Sequence, residues 1–242
     1  MSGGFFHTVF YQPIYNLLVF LIDSIPGGNI TIAVFLTTII VRLVLFPLSK
    51  KAFQTQLIMK DLMPKMEDLK RKYKDNKEAY AKATMDLYKE KQINPFAGFF
   101  LILIQLPVIF ALFFIFSRSG LPHINATDLY SFISVPKETS MILFGIFDMS
   151  KKSLILAIFA GVAQFIQAQI SIPKSPELKD GQERTFQDDF ARNMNMQARY
   201  FLPALMIPTA YFLSAAIAVY FITSSLFSIA QDLYIKKKYV GK

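Results

Sequence analysis

A single arginine and a small set of amides and hydroxyls interrupt segments of the sequence that are otherwise apolar. Arg42 stands in the run TTIIVRLVLFPLS, inside a segment at residues 30–48 that is long enough to cross a bilayer, because a spanning helix needs about 20 mostly apolar residues. The other polar residues in the middle of such segments are Thr38, Gln105, Gln164, Gln167, Thr223, Ser224 and Ser228. The sequence shows no Ser-His-Asp set, zinc-ligand spacing or phosphate-binding loop, so we expect no enzymatic activity. These residues could instead bind hydrophilic or acidic groups within a membrane.

Two interpretations of Arg42 are open. A guanidinium in the middle of a spanning helix costs about 2.5–3.5 kcal/mol, and Arg42 lies roughly 12 Å along the helix from Lys50. The side chain could reach back to the membrane surface, or it could face a polar cavity inside the protein. Lys50 and Lys51 already mark the surface, which favours the second interpretation.

The remaining polar residues have simple explanations when they are taken one at a time. Serine and threonine can bond to their own helix backbone, and glutamine can join helices at roughly 1 kcal/mol. No acidic residue falls in the middle of a predicted span; Asp23 precedes the first, and Asp232 falls at the inner end of the last. An arginine without an acidic partner favours water or a visiting carboxylate. Together these residues predict a hydrophilic groove with one positive charge.

Composition identifies the broad class of protein. Of 242 residues, 53% are hydrophobic and only 18% are charged, with a mean hydropathy of +0.38. These values are typical of a polytopic membrane protein. The chain has no cysteine, and its two histidines, His7 and His123, are far apart, so we expect no metal and no cofactor. The net charge of +9 is better explained by basic residues on the cytoplasmic side of the membrane than by a nucleic-acid partner.

The two regions that flank the first span differ in character. Before it, Pro13 leaves only about 12 uninterrupted residues ahead of Pro26, which favours a helix on the outer membrane surface over a span. No Lys or Arg precedes Arg42, so the sequence predicts no cleavable signal peptide and an N-terminus outside. After the span, basic residues outnumber acidic ones and apolar residues recur at helical spacing. That region predicts a cytoplasmic hairpin, with a kink at Pro64 and a break at Asp75-Asn76.

The sequence therefore predicts an all-α protein with five spans. Residues 200–235 form a 36-residue stretch that is mostly apolar and accommodates two short spans with a turn near residues 213–216. The predicted division is 1–29 (external interfacial helix), 30–48 (first span), 49–93 (cytoplasmic helical hairpin), 95–116 (second span), 117–151 (external loop), 152–172 (third span), 173–199 (cytoplasmic loop), 200–213 (fourth span), 215–235 (fifth span) and 236–242 (basic cytoplasmic tail).

Several stretches resemble the YidC/Oxa/Alb family of membrane protein insertases. They are TTIIVRLVLFPLSKK with the hairpin up to QINPFAG, then ILIQLPVIFALFFIF, LYSFI, FGIFDMS, GVAQFIQAQIS, FLPALMIP and VYFITSSLFSIAQDLYI. The likeness covers about residues 10–235. The Arg-plus-Pro pattern of the first span, the hairpin after it and the NP-x-x-G motif are together quite specific.

This resemblance implies a bacterial plasma membrane protein, a short form without the large periplasmic domain. It implies a five-span core whose groove opens to the cytoplasm and to lipid and is closed towards the outside. Arg42 would attract hydrophilic or acidic parts of an incoming protein, and Gln167 and Phe221 would line the groove with Thr223 and Ser224 nearby. The implied partners are nascent membrane proteins, the ribosome or targeting machinery, and the Sec translocon.

The chain departs from the family pattern at two positions in the last spans. Leu213-Ser214-Ala215-Ala216 stands where a Phe-Pro-x-Gly turn is common, and Phe221 stands where tryptophan is frequent. Two other functions remain open. One is a small-solute transporter or channel with an anion site at Arg42, although no inverted repeat is visible. The other is a chaperone that folds membrane proteins without translocating any part of them.

Overall fold

In this computed structural model the described residues are 4–73, 76–94, 97–117, 121, 123–143, 145–172 and 192–240, with the side chains of 97–104, 117 and 240 left aside. Eight α-helices account for most of this part of the chain. They are α1 (Gln12–Ser24), α2 (Ile30–Asp61), α3 (Met63–Lys72), α4 (Lys77–Glu90), α5 (Ala97–Ser117), α6 (Leu154–Ser171), α7 (Leu202–Leu213) and α8 (Ala215–Val240). Strands β1 (Ile142–Leu143) and β2 (Phe147–Asp148) form one short antiparallel pair.

The N-terminal helix passes Pro13 without a break, so the expectation that Pro13 interrupts it is wrong. A π-helical turn at His7–Tyr11 leads directly into α1, and Pro13 lies in the first turn of α1. Proline is tolerated there because its missing N–H and its ring cause least conflict in a first turn. The buried face of α1, which includes Tyr15, Leu18 and Ile22, packs against α2 and α5.

Helix α2 extends well beyond the predicted end of the first span at residue 48. Asn29 caps its start, since the Asn29 side chain accepts hydrogen bonds of 3.1 Å from the N–H groups of Thr31 and Ile32, and the helix runs from Ile30 to Asp61. The polarity of the sequence changes at Lys50, but the residues that follow are compatible with a helix and contain no breaker. The change in polarity therefore marks a change of surroundings and not a helix end.

The hairpin is formed by α3 and α4. The helix is interrupted at Leu62, between α2 and α3, and Pro64 lies in the first turn of α3. Asn76 begins α4 by accepting a 2.9 Å hydrogen bond from Ala79 N–H, while Asp75 lies outside the described residues. Tyr88 Oη approaches Met66 Sδ at 3.5 Å and joins the two helices.

Three helices of the described chain are long and apolar enough to cross a membrane, namely Ile30–Asp61, Leu154–Ser171 and Ala215–Tyr239. Gln105–Phe116, the part of α5 whose side chains are described, is a shorter apolar segment. The predicted all-α, polytopic membrane class is confirmed, and the count of five spans stays a prediction. Helix α7 has 12 residues and follows a π-helical turn at Gln197–Phe201. Ser214, within the predicted turn, is the extended residue between α7 and α8.

Small residues allow α6 to pack closely on α7 and α8. Ala157, Ala160 and Gly161 are buried on α6. A Cβ atom added to Gly161 would lie 2.3 Å from Ile207 Cγ1 of α7, which is far inside van der Waals contact. Helix α8 also packs along α2, so it contacts helices on two sides.

The segment between α5 and α6 covers one end of the bundle, which we call the loop end; α3 and α4 define the hairpin end. Ile30 N–H donates to Ser140 O and Ser140 N–H donates to Gly28 O, both at 2.9 Å. Gly28 has a φ of +57°, and an added Cβ would lie 1.9 Å from Glu138 O. Ala215 N–H donates to Lys151 O at 3.1 Å, so the starts of α2 and α8 are both tied to this segment.

Candidate functional site

Arg42 of α2 is hydrogen-bonded to Ser224 of α8. Arg42 Nε donates to Ser224 Oγ at 2.9 Å, and Arg42 Nη2 donates to the same oxygen. Ser224 is only 3% exposed, and Arg42 is half-buried. The guanidinium therefore faces another helix of the protein. Of the predicted site residues, these two are brought into direct contact.

Ser224 belongs to a row of polar side chains on one face of α8. Tyr220, Ser224, Ser228 and Asp232 follow one another at four-residue intervals, which places them on the same side of a helix. All four are buried. We call these four residues the polar stripe. Ser224 and Ser228 were predicted as site residues, whereas Tyr220 and Asp232 were not.

Amide side chains of two neighbouring helices bind to α8 at or beside the polar stripe. Gln105 Nε2 of α5 donates to Tyr220 Oη. Ser225, the buried neighbour of Ser224, donates through Oγ to Gln164 Oε1 of α6 at 2.9 Å. Of the three predicted glutamines, Gln105 and Gln164 thus join helices by hydrogen bonds. Neither Tyr220 nor Ser225 was a predicted site residue, because which hydroxyls of α8 meet a neighbouring helix depends on how the helices are rotated against each other.

Asp232 ends the polar stripe and provides a negative charge that the sequence analysis placed only at the inner end of the last span. It is 5% exposed, and its carboxylate accepts a hydrogen bond from Ser171 Oγ at the end of α6. Asp232 and Arg42 also interact electrostatically. The fold brings the hairpin end of α8 alongside α2, so a carboxylate lies on the same stripe as the serine that binds Arg42.

The other predicted residues have more local contacts. Thr38 is buried and donates to Val34 O of its own helix at 2.7 Å, which is the ordinary behaviour of a threonine in an apolar helix. Phe221 is buried, and its ring centroid lies 5.3 Å from that of Tyr220. Thr223 is buried as well, and Gln167 is half-buried on α6.

A second buried arginine lies near the hairpin end. Arg199 precedes α7, is 5% exposed, and donates from Nη2 to Gln169 Oε1 of α6. Gln169 Nε2 in turn donates to Arg199 O at 3.4 Å. Arg199 ends the predicted cytoplasmic loop at 173–199 and was not a predicted site residue, because a basic residue beside a charged segment gives no separate signal. Its contacts are those of a residue that fixes the start of α7 on α6.

The chemistry of the site is polar binding. Within the described ranges, no three His, Asp or Glu side chains lie close enough together to hold a metal ion. What the site does contain is one guanidinium, one carboxylate, several hydroxyls and two amides, buried between apolar helices. Such a set can offer donors to a carboxylate and acceptors to water.

Residues 21–242 match the family model described as "60Kd inner membrane protein". A protein from Fusobacterium nucleatum called "Membrane protein insertase YidC" is 31% identical over 93% of this chain and 98% of its own length. A protein of the same name from Oceanobacillus iheyensis is 26% identical over 100% of this chain and 87% of its own length. One from Rhizobium meliloti is 36% identical over 73% of this chain. There the matched region is only 30% of the relative, so some relatives are much longer than the region that they share with this chain.

Proposed function

Because this chain belongs to the 60Kd inner membrane protein family, we propose that it is a membrane protein insertase, which inserts nascent membrane proteins and helps them to fold. Its curated relatives carry that name. The observation that supports the proposal most directly is the bond from Arg42 to Ser224. It joins two helices that are each long and apolar enough to span the membrane.

A groove along the polar stripe would lower the main barrier to insertion. A client's polar tail crosses lipid slowly because its backbone and charged groups lose their water. Hydroxyl and amide groups between α2, α5, α6 and α8 offer hydrogen bonds part of the way, so less of the path is dry. The client's apolar helix then leaves into the bilayer. Transfer of that helix into lipid supplies the free energy, and no nucleotide is needed.

Arg42 gives this groove its attraction for acidic tails. A guanidinium has five N–H donors, and two of them are directed at Ser224. Within the described part of the chain the other three are not occupied, so they remain for a visiting carboxylate. Opposite charges attract more strongly in a low-dielectric site than in bulk water. Thr38, Gln167, Phe221 and Thr223 would form the rest of the groove.

The proposed orientation puts the loop end outside and the hairpin end in the cytoplasm. With five spans, the N-terminus would lie outside and Lys236–Lys238 inside, as the positive-inside rule requires. The hairpin would then meet the ribosome, the targeting machinery or the Sec translocon. Its excess of basic residues suits partners that are themselves acidic.

The test uses purified protein in liposomes and a single-span client with an acidic N-terminal tail. Protection of the tail from added protease is compared for wild type, Arg42→Ala and empty liposomes. Arg71→Ala is the matched control, because it removes an exposed arginine of α3. We expect protection by wild type and Arg71→Ala, and a severalfold loss with Arg42→Ala. Equal protection of the tail by wild type and Arg42→Ala would refute the role of the charge. Protection by wild type no greater than that in empty liposomes would refute insertion.

A further inference from the structure

We infer that Asp232 is the built-in counter-charge of Arg42 and sets how strongly the groove prefers acidic client tails. This inference rests on the proposed function. It assigns a specificity role to a residue at the hairpin end of the polar stripe. Asp232 acts on the client through the electric field at Arg42, because its own carboxylate is buried.

The polar stripe sets the offset along α8 between the serine that binds Arg42 and the carboxylate of Asp232. Arg42 is bound to Ser224, and Asp232 is eight residues further along the same face of α8. Eight residues correspond to about 12 Å along a helix axis. Both ends of this arrangement are held, since Ser171 Oγ donates to the Asp232 carboxylate. Within the described residues Arg42 is bonded to Ser224, and Asp232 to Ser171, rather than to each other, which leaves Arg42 able to bind another anion.

The surroundings preserve the interaction between the charges. Asp232 has Ser171 of α6, Gln231 of its own helix and Arg42 of α2 as its polar and charged neighbours within the described residues. Buried charges are screened by salt much less than exposed ones. At an effective dielectric constant of about 20, two unit charges about 12 Å apart interact strongly enough to change a binding equilibrium roughly tenfold.

A client carboxylate that binds Arg42 therefore meets an attraction that Asp232 has reduced. A neutral tail does not feel this reduction to the same extent. Removing the charge of Asp232 should raise insertion of acidic tails relative to neutral ones. The quantity to measure is the acid preference, defined as the insertion rate of a client with aspartates in its tail divided by that of the same client with asparagines.

The experiment measures the acid preference in proteoliposomes for wild type, Asp232→Asn, Arg42→Ala and the double variant. Glu138→Gln is the matched control, because it removes an exposed carboxylate of the loop end, outside the polar stripe. We expect Asp232→Asn to raise the acid preference by severalfold, up to about tenfold. In the Arg42→Ala background Asp232→Asn should have no effect, and Glu138→Gln should leave the acid preference of the otherwise wild-type protein unchanged.

Other outcomes separate this inference from the proposed function. If Asp232→Asn changes both clients equally, or acts equally without Arg42, Asp232 has only a structural role. If Asp232→Asn does not fold, Asp232→Ser takes its place, because a serine there continues the row of hydroxyls on α8. Asp232→Ser must then raise the acid preference. In another outcome, insertion falls with Arg42→Ala while Asp232→Asn and Asp232→Ser leave the acid preference at its wild-type value. That result would overturn this inference and leave the proposed function intact. Failure of wild type to insert any client would overturn both.

Discussion

Arg42 and Ser224 are 182 positions apart in the chain, yet two guanidinium nitrogens donate to the one serine oxygen, with Nε at 2.9 Å. At the other end of the same two helices, Tyr239 Oη donates to Asp61 Oδ2, also at 2.9 Å. The two pairs show that α2 and α8 run side by side in the same direction. This arrangement determines which part of α8 meets the arginine.

Replacing Ser224 with alanine should impair insertion of acidic-tailed clients less than Arg42→Ala does. The cation remains, but it loses the acceptor that holds it in place. A hydrogen bond to a charged group contributes about 1.5–3 kcal/mol, so a fall in thermal stability should accompany the change. Thr209→Val is the matched control, because Thr209 lies outside the site on α7 and donates to Leu205 O of its own helix at 2.8 Å. A Ser224→Ala protein that equals wild type in both measurements would contradict this view of the site.

Asn16 should be important for the stability of the loop end. It is 1% exposed, donates to Asp128 O at 2.9 Å and accepts from Tyr130 N–H at 2.6 Å. Asn16→Leu keeps the approximate shape but leaves both backbone groups without these partners. Since each unsatisfied buried group costs about 1–3 kcal/mol, we expect unfolding in detergent at a clearly lower temperature. Ser24→Ala, at an exposed position of the same helix, should unfold at the same temperature as wild type. If Asn16→Leu also unfolds at that temperature, the two hydrogen bonds of Asn16 do not contribute to stability.

Gly161→Ala should destabilise the contact between α6 and α7, because the new Cβ would meet Ile207 at 2.3 Å. Overpacking of this kind costs about 1–3 kcal/mol. Ile207→Ala makes room for the added methyl group, so the double variant should be more stable than the sum of the two single effects predicts. Val162→Ala, on the exposed side of α6, is the control. Strict additivity of the two changes would rule out the clash as the cause.

The alkaline limit of stability should depend on Tyr15. Burial raises the pKa of Tyr15 to about 12, from about 10 in an unfolded chain. The folded protein therefore holds this proton more tightly than the unfolded chain does. The resulting stability is complete below about pH 10 and is lost as the pH rises towards 12.

Tyrosinate absorbance during alkaline titration measures this effect. The difference between wild type and Tyr15→Phe should titrate near pH 12, whereas Tyr234→Phe, at an exposed site, serves as the reference. A Tyr15 signal that titrates together with that of an unfolded chain would show that the ring is not buried.

The proposed orientation can be tested with single cysteines, because the natural chain has none. Phe132 is 80% exposed at the loop end, and Met85 is exposed on α4 of the hairpin. A reagent that cannot cross membranes should label Phe132→Cys in intact cells, and should label Met85→Cys only after the membrane is opened. The reverse pattern would invert the topology, and labelling of both in intact cells would contradict the separation of the two ends by the membrane.

The sequence was sufficient for those features that depend on a single helix. Segment hydropathy identified α2, α6 and α8 as membrane-crossing candidates, and helical spacing identified the hairpin helices. It also identified Arg42 as an unusual charge, since a guanidinium in an apolar segment is costly wherever its partners lie. The end of α2 could not be predicted in the same way, because a change from apolar to basic residues alters the solvent and leaves the backbone helical.

Tertiary structure decided what Arg42 contacts. The pairing with Ser224, the reach of Gln105 to Tyr220 and the burial of Asp232 all depend on the rotation and axial offset between helices that are far apart in sequence. Those quantities are set by packing between helices, for example the close approach that Gly161 permits on α6. Periodicity within one helix contains no information about them. By itself, the sequence determined a helical membrane protein with an isolated cation, and only the fold joined that cation to a polar stripe ending in a carboxylate.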